Sequence, residues 1–186
     1  MIDFDLVRQE CFLAQDSVFN QTDKIHVAIT LITASLKAGG KVLWCGNGGS
    51  AAESQHMSAE LMVRFVKNRI PLASIALCTD TSLLTAHSND FEFETVFARQ
   101  VEALGKASDV LIAISTSGHS ANVVKAIEQA KFQNLSVIGL FGKNSTGVES
   151  LCDIAFFVDS DKTARIQEGH TLINHLICEG LDELFV

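Results

Sequence analysis

The sequence predicts a doubly wound α/β fold, with five parallel strands covered by helices on both faces and further helices at each end. Three observations predict it. First, five short segments, KVLWC (41–45), ASIALC (73–78), DVLIAI (109–114), SVIGLF (136–141) and DIAFFV (153–158), lack the polar alternation of a half-exposed strand. Such runs suit strands buried on both faces. Second, helical stretches separate them, at roughly 50–66, 80–88, 92–103, 119–132 and 144–150, and parallel strands require crossovers of that kind. Third, the 186 residues include only one proline and no Ser/Gly-rich tract. That reads as one domain, 1–186, with a helical pair over 1–40 ahead of an α/β unit over 41–186.

In chain order, Phe4, Val7, Cys11, Ala14 and Val18 alternate at spacings of three and four within residues 3–20. This is a narrow helical stripe of the kind that packs on another helix. A second helix over 22–38 is opened by Thr22 or Asp23 and closed at Gly39-Gly40, where glycine permits the left-handed turn that ends helices. After the strand–helix alternation, a last helix runs from about Thr163 to Leu184. On it, Ile166, His170, Ile173 and Ile177 form one stripe, and Gln167, Thr171 and His175 another. His170 is therefore expected to pack on the apolar side. His175 shares a face with Gln167 and is the better placed for chemistry.

Charge excludes several classes of partner. The net charge is −8 and no basic run occurs, a poor match to a nucleic-acid groove or an anionic membrane. The start, MIDFDLVRQE, is acidic and carries no signal-type apolar run, and no segment approaches the ~20 apolar residues of a membrane span. The five cysteines are widely spaced and never form C-x-x-C, which fits reduced thiols of a cytoplasmic protein.

In open α/β sheets ligands sit beyond the carboxyl ends of the strands. Two polar loops fall at that edge, GNGGS (46–50) and STSGHS (115–120). Ser115, Thr116, Ser117 and Ser120 crowd one strand-to-helix corner. A helix cap needs one hydroxyl; four suggest an anion seat, where helix N–H groups and dipole favour phosphate. Gly46, Gly48 and Ala51 also spell G-x-G-x-x-A, with Asp80 past the second strand as a ribose ligand. That dinucleotide pattern is weak alone, and its spacing to Asp80 exceeds the usual ~20 residues. In QHMSAELMVRF (55–65), spacing of four places His56, Glu60 and Arg64 on one face of a helix that starts at GNGGS. The plain alternative is a solvated Glu–Arg pair beside a bystander histidine.

Together CGNGGS, HMSAEL, HSNDF (87–91), ISTSGHSANV and ARIQEGHTLINH resemble the sugar isomerase (SIS) domain family, and within it the phosphoheptose isomerases. The resemblance spans essentially the whole chain, including the two leading helices. It implies a flavodoxin-like sheet and interconversion of sedoheptulose 7-phosphate with D-glycero-D-manno-heptose 7-phosphate, the start of heptose supply for bacterial surface polysaccharide. It also implies a homotetramer with active sites between subunits. Carried over by position, the phosphate loop is Ser115, Thr116, Ser117 and Ser120. Asn47, Ser50, Arg64, Asp90 and Gln167 contact substrate, and Glu60 and His175 are the acid/base pair. Some members bind zinc at positions matching His56, Glu60, Gln167 and His175. His119 stands where the loop often has Asn, and Ala164 where some members carry Asp. A non-catalytic relative that binds the replication initiator is the alternative; it lacks residues matching Glu60 and His175, and this chain has both.

Overall fold

A computed structural model describes residues 1–186. The chain runs α1 (Phe4–Phe19), α2 (Thr22–Lys37), β1 (Val42–Gly46), α3 (Gly49–Met62), β2 (Ser74–Ala76), α4 (Thr81–Asp90), α5 (Val96–Leu104), β3 (Val110–Ser115), α6 (Ala121–Phe132), β4 (Ser136–Gly142), β5 (Ile154–Val158) and α7 (Thr163–Leu184). Short 3-10 turns lie at Phe93–Thr95 and Val148–Leu151. All five strands are parallel, in the order β2-β1-β3-β4-β5. The predicted fold class is the observed one. With this order the chain leaves β1 in one direction and β3 in the other, so the crevice between their carboxyl ends is the topological switch point.

The all-apolar strands follow from two covered faces. On one side Trp44, Ile112, Leu140 and Phe156 pack beneath α1, α2, α3 and α7. On the other, Leu43, Leu111, Val137 and Phe141 pack beneath α5 and α6. The Trp44 indole is buried and donates to Ser74 Oγ at 2.8 Å, which satisfies its only polar atom.

The elements differ from expectation where local chemistry intervenes. The α1 stripe is buried at Ala14 and Val18 but fades to an exposed Phe4. Gln21, rather than Thr22 or Asp23, precedes α2, and its amide pairs with both the N–H and the carbonyl of Phe157 on β5. That occupies part of the sheet's edge. The stretch over 144–150 is no α-helix, because Gly147 takes φ +89° and only a 3-10 turn follows. Asp80, the candidate ribose ligand, caps α4 through Leu83 N–H at 2.9 Å.

The helix expected over 50–66 stops at Met62. Arg64 therefore does not share a helical face with His56 and Glu60; its guanidinium turns back to the Val66 carbonyl at 3.1 Å.

Candidate active site

At the switch point the loops after β1 and β3 face each other. Gly48 has φ +55° and ψ −119°, open to glycine and strained for other residues, and it turns the chain into α3. A side chain at Gly49 would collide with Gln167 Nε2. The bare glycine backbone is what lets Gln167 of α7 lie against the start of α3. The loops are tied by a reciprocal amide pair: Asn47 Nδ2 donates to Asn122 Oδ1 at 2.8 Å, and Asn122 Nδ2 to Asn47 Oδ1 at 2.9 Å. Asn47 thus holds the corner, and Asn122, its partner, was not singled out by the sequence.

The serine loop is a closed cluster of hydroxyls. Ser115 Oγ lies 3.1 Å from Ser120 Oγ and 3.5 Å from Ser117 Oγ, and it accepts from Gly118 N–H at 3.1 Å. Ser117 Oγ accepts from His119 N–H. Gly118, at φ +70°, bends the loop. Ser120 occupies the N-cap of α6, yet its hydroxyl caps no N–H. The first-turn N–H groups of α6 keep no side-chain partner, as an anion seat requires. Thr116 and Ser117 line a recess of about 290 Å3 with His119, Asn144, Thr163 and Ile166.

Next to it, α3 and α7 enclose a larger cleft of about 430 Å3, lined by Ser50, Glu53, His56, Gln167, His170 and Thr171 among others. Ala164 also lines it, so at that one position a methyl stands in place of a carboxylate. His56 Nε2 lies 3.3 Å from Glu60 Oε1, and the His56 ring meets His175 edge-on with centroids 5.2 Å apart. His175 stacks on Phe65 at 5.2 Å and 29°. Glu60, His175 and His56 therefore gather beside the cleft, one turn of α3 against the middle of α7.

Two supports were not legible in the motifs. Glu53 accepts from Thr171 Oγ1 at 3.0 Å and from Asn174 Nδ2 at 2.9 Å, joining α3 to α7, and lies 3.7 Å from His56 Nδ1. Its spacing of three before His56 was the available signal. Behind Glu60, Arg69, its side chain fully buried, donates to the Glu60 carbonyl at 2.8 Å and to the Leu61 carbonyl at 2.9 Å, and pairs with Asp182 at 2.7 Å. Asp182 also accepts from Val66 and Lys67 N–H, each at 2.7 Å. This latch ends α3 and fixes the strap that carries Phe65. Burial opposes the charge of Asp182, but the donors from Lys67, Val66 and Arg69 outweigh it and hold its carboxyl below the usual range.

Arg64 and Asp90 lie apart from this gathering. Both are exposed, and Asp90 accepts only from its neighbour Asn89; neither lines the cleft or the recess. His170 packs inside, as its stripe predicts, at 1% exposure. No three His, Cys, Asp or Glu side chains converge as a metal cage does. His56, Glu60 and His175 lie together and Gln167 lines the same cleft as His56, a donor set chemically suited to zinc whose side chains are not turned to one point. All five cysteines are free thiols, and no helix is long and apolar enough to cross a membrane.

The family model of the SIS domain matches residues 13–142. A phosphoheptose isomerase of Rhodospirillum rubrum is 49% identical over 182 residues, 96% of each chain. Phosphoheptose isomerase 1 of Campylobacter jejuni is 56% identical over 155 residues, 83% of each chain. Among solved structures, a phosphoheptose isomerase from Neisseria gonorrhoeae superposes with TM-score 0.89 at 39% identity, covering 97% of both chains.

Proposed function

The chain belongs to the SIS domain family and, within it, to the phosphoheptose isomerases, and from that premise we propose how its own residues act. It is a ketose–aldose isomerase of a sugar phosphate, converting sedoheptulose 7-phosphate to D-glycero-D-manno-heptose 7-phosphate. The observation that carries the site assignment is the gathering of Glu60, His56 and His175 beside a cleft that adjoins the serine loop. Incubation with sedoheptulose 7-phosphate, followed by detection of the aldose, tests the activity; absence of aldose at saturating substrate refutes it.

The phosphate sits on Ser115, Thr116, Ser117, Ser120 and the first turn of α6. No cation is needed there, because hydroxyls, N–H groups and the helix dipole supply the field. The carbon chain then extends along the cleft past Ser50 and Gln167. Moving the carbonyl from C2 to C1 takes a proton from C1 and returns one to C2, while a proton passes between the oxygens. Glu60 and His175 share these steps through an enediol, each contributing about 10²–10⁴-fold. His56 bridges them, within proton-sharing distance of Glu60. Phe65 holds the His175 ring by its face, and Glu53 holds the two helices in register.

Zinc at His56, Glu60, Gln167 and His175 would require those side chains to turn toward one point, so no step here passes through it. The runner-up, a non-catalytic initiator-binding protein, has no use for Glu60 and His175 gathered beside a cleft.

The working unit in this proposal is a homotetramer in the cytoplasm with sites between subunits, and its product feeds bacterial surface polysaccharide, including lipopolysaccharide. Support comes from the outlying residues: Arg64 is flanked by exposed Val63 and Val66, and Asp90 by exposed Phe91 and Phe93. Such polar groups set in apolar surface suit a contact where each completes a neighbour's cleft. Light scattering on the purified chain should return four times 20.1 kDa; a monomer removes this part of the proposal.

A further inference from the structure

We propose that Asn122 is a positioning residue for the isomerisation: paired with Asn47, it fixes the separation between the phosphate seat on α6 and the acid/base helix α3. The inference rests on the isomerase reading of the site and adds a residue that lies outside the proposed substrate contacts.

Asn122 is the second residue of α6, two positions past the N-cap Ser120, and it is 3% exposed. Its partner Asn47 is half-buried in the loop between β1 and α3. Each amide donates one N–H and accepts one, at 2.8 and 2.9 Å. A carboxamide carries its donor and its acceptor on one planar group, so two reciprocal bonds stop either amide from turning against the other. A hydroxyl in either place would make a single bond and leave a hinge.

No other side-chain hydrogen bond joins the two loops. The loop after β3 is otherwise closed on itself, its serines bonding to one another and to the N–H groups of Gly118 and His119. The loop after β1 is two exposed glycines beyond Asn47, Gly48 and Gly49, with no side chain to hold them. The amide pair is thus the fixed point between a self-contained anion seat and a glycine turn. Past that turn the chain enters α3 directly, and α3 carries His56 and Glu60. A sugar gripped by its phosphate presents its carbonyl to Glu60 only when α3 starts at a set distance from α6. Misplacing reacting groups by about 1 Å costs on the order of 10²-fold in rate. The hydroxyls and first-turn N–H groups that grip phosphate do not depend on the Asn122 side chain. It therefore acts on turnover, through Asn47, and leaves the grip alone.

The test separates grip from turnover. Asn122→Ala removes the pair, and Asn122→Asp keeps its shape but has no hydrogen to give Asn47 Oδ1. With sedoheptulose 7-phosphate, kcat of each variant should fall about 10- to 100-fold. The inhibition constant of inorganic phosphate should stay within about twofold of wild type in N122A, because the seat is intact. A double-mutant cycle asks whether Asn122 works through its partner: in an Asn47→Ala background, adding N122A should bring no further loss. A kcat within about twofold of wild type in either single variant overturns the proposal. So do losses from N122A and N47A that multiply, or a phosphate constant that rises in step as kcat falls, since either outcome describes a general loosening of the fold. Wild-type protein that makes no aldose fails the isomerase reading instead. The amide pair is then judged by hydrogen exchange at the Asn47 side chain: one slow hydrogen in wild type that becomes fast in N122A upholds it, and two fast hydrogens in wild type overturn it.

Discussion

Replacing Asp182 with Asn keeps the shape of the side chain and deletes its charge, so it isolates the latch behind Glu60. The pair is out of water: Asp182 is 2% and Arg69 0% exposed at the side chain. The carboxylate accepts three bonds of 2.7 Å, from Val66, Lys67 and Arg69. Asn turns a hydrogen-bearing nitrogen toward donors and leaves the guanidinium buried without a counter-charge. Breaking a buried pair from one side costs about 3–5 kcal/mol. For a domain of this size that lowers Tm by roughly 6–20 °C. Urea unfolding at one fixed protein concentration measures it, since association shifts apparent stability. Replacing both partners, Arg69→Met with Asp182→Leu, should recover part of the loss, because the uncompensated charge goes while the Glu60 and Leu61 carbonyls and the Val66 and Lys67 N–H groups lose their partners. The pH dependence has a definite sign. The carboxyl is depressed in the fold, so its contribution is complete above the ordinary carboxylate range and is lost as pH falls through the lower folded value. An Asp182→Asn protein within about 1 kcal/mol of wild type, or a double variant no better than the single, would refute the latch.

Glu60→Gln should abolish turnover while sugar phosphate binding, followed by calorimetry, stays near wild type; near-normal isomerisation would remove Glu60 from the chemistry. Ser117→Ala combined with Ser120→Ala should raise KM at least tenfold with a smaller change in kcat, and an unchanged KM counts against the anion seat. Gly49→Ala drives a methyl into Gln167 Nε2; kcat/KM should fall by more than tenfold with little change in stability, since a flexible side chain yields. Exhaustive chelation should leave turnover intact, and activity lost to a chelator and restored only by zinc would place a metal in the reacting state.

What the sequence made legible was what depends on neighbours along the chain. Strands buried on both faces announce themselves as unbroken apolar runs, and the serine loop as a crowd of hydroxyls before a helix. The α7 stripes placed His170 inside and His175 with Gln167 correctly, because helical period survives any tertiary setting. The end of α3 was not legible. Its periodicity runs on through Arg64, but Arg69 takes the last carbonyls and Asp182, 113 residues away from it, holds Arg69 in place. The pairing of Asn47 with Asn122 spans 75 residues and was hidden for the same reason. Glu53 was overlooked because a carboxylate one turn from His56 looks like any solvated face until Thr171 and Asn174 close on it.

One helix touches every part of the proposed substrate. Thr163 and Ile166 of α7 border the serine-loop recess, Gln167, His170 and Thr171 the cleft, and His175 meets His56 and Phe65. From Thr163 to His175 this helix advances about 18 Å, at 1.5 Å per residue. Substrate length is therefore gauged by a rigid rod rather than by loops. A shorter sugar phosphate gripped at the same seat presents its carbonyl before the reacting pair. Loop insertions do not reset such a gauge, and a residue inserted into α7 turns everything after it by about 100°, unseating His175 along with the apolar stripe that holds the helix down.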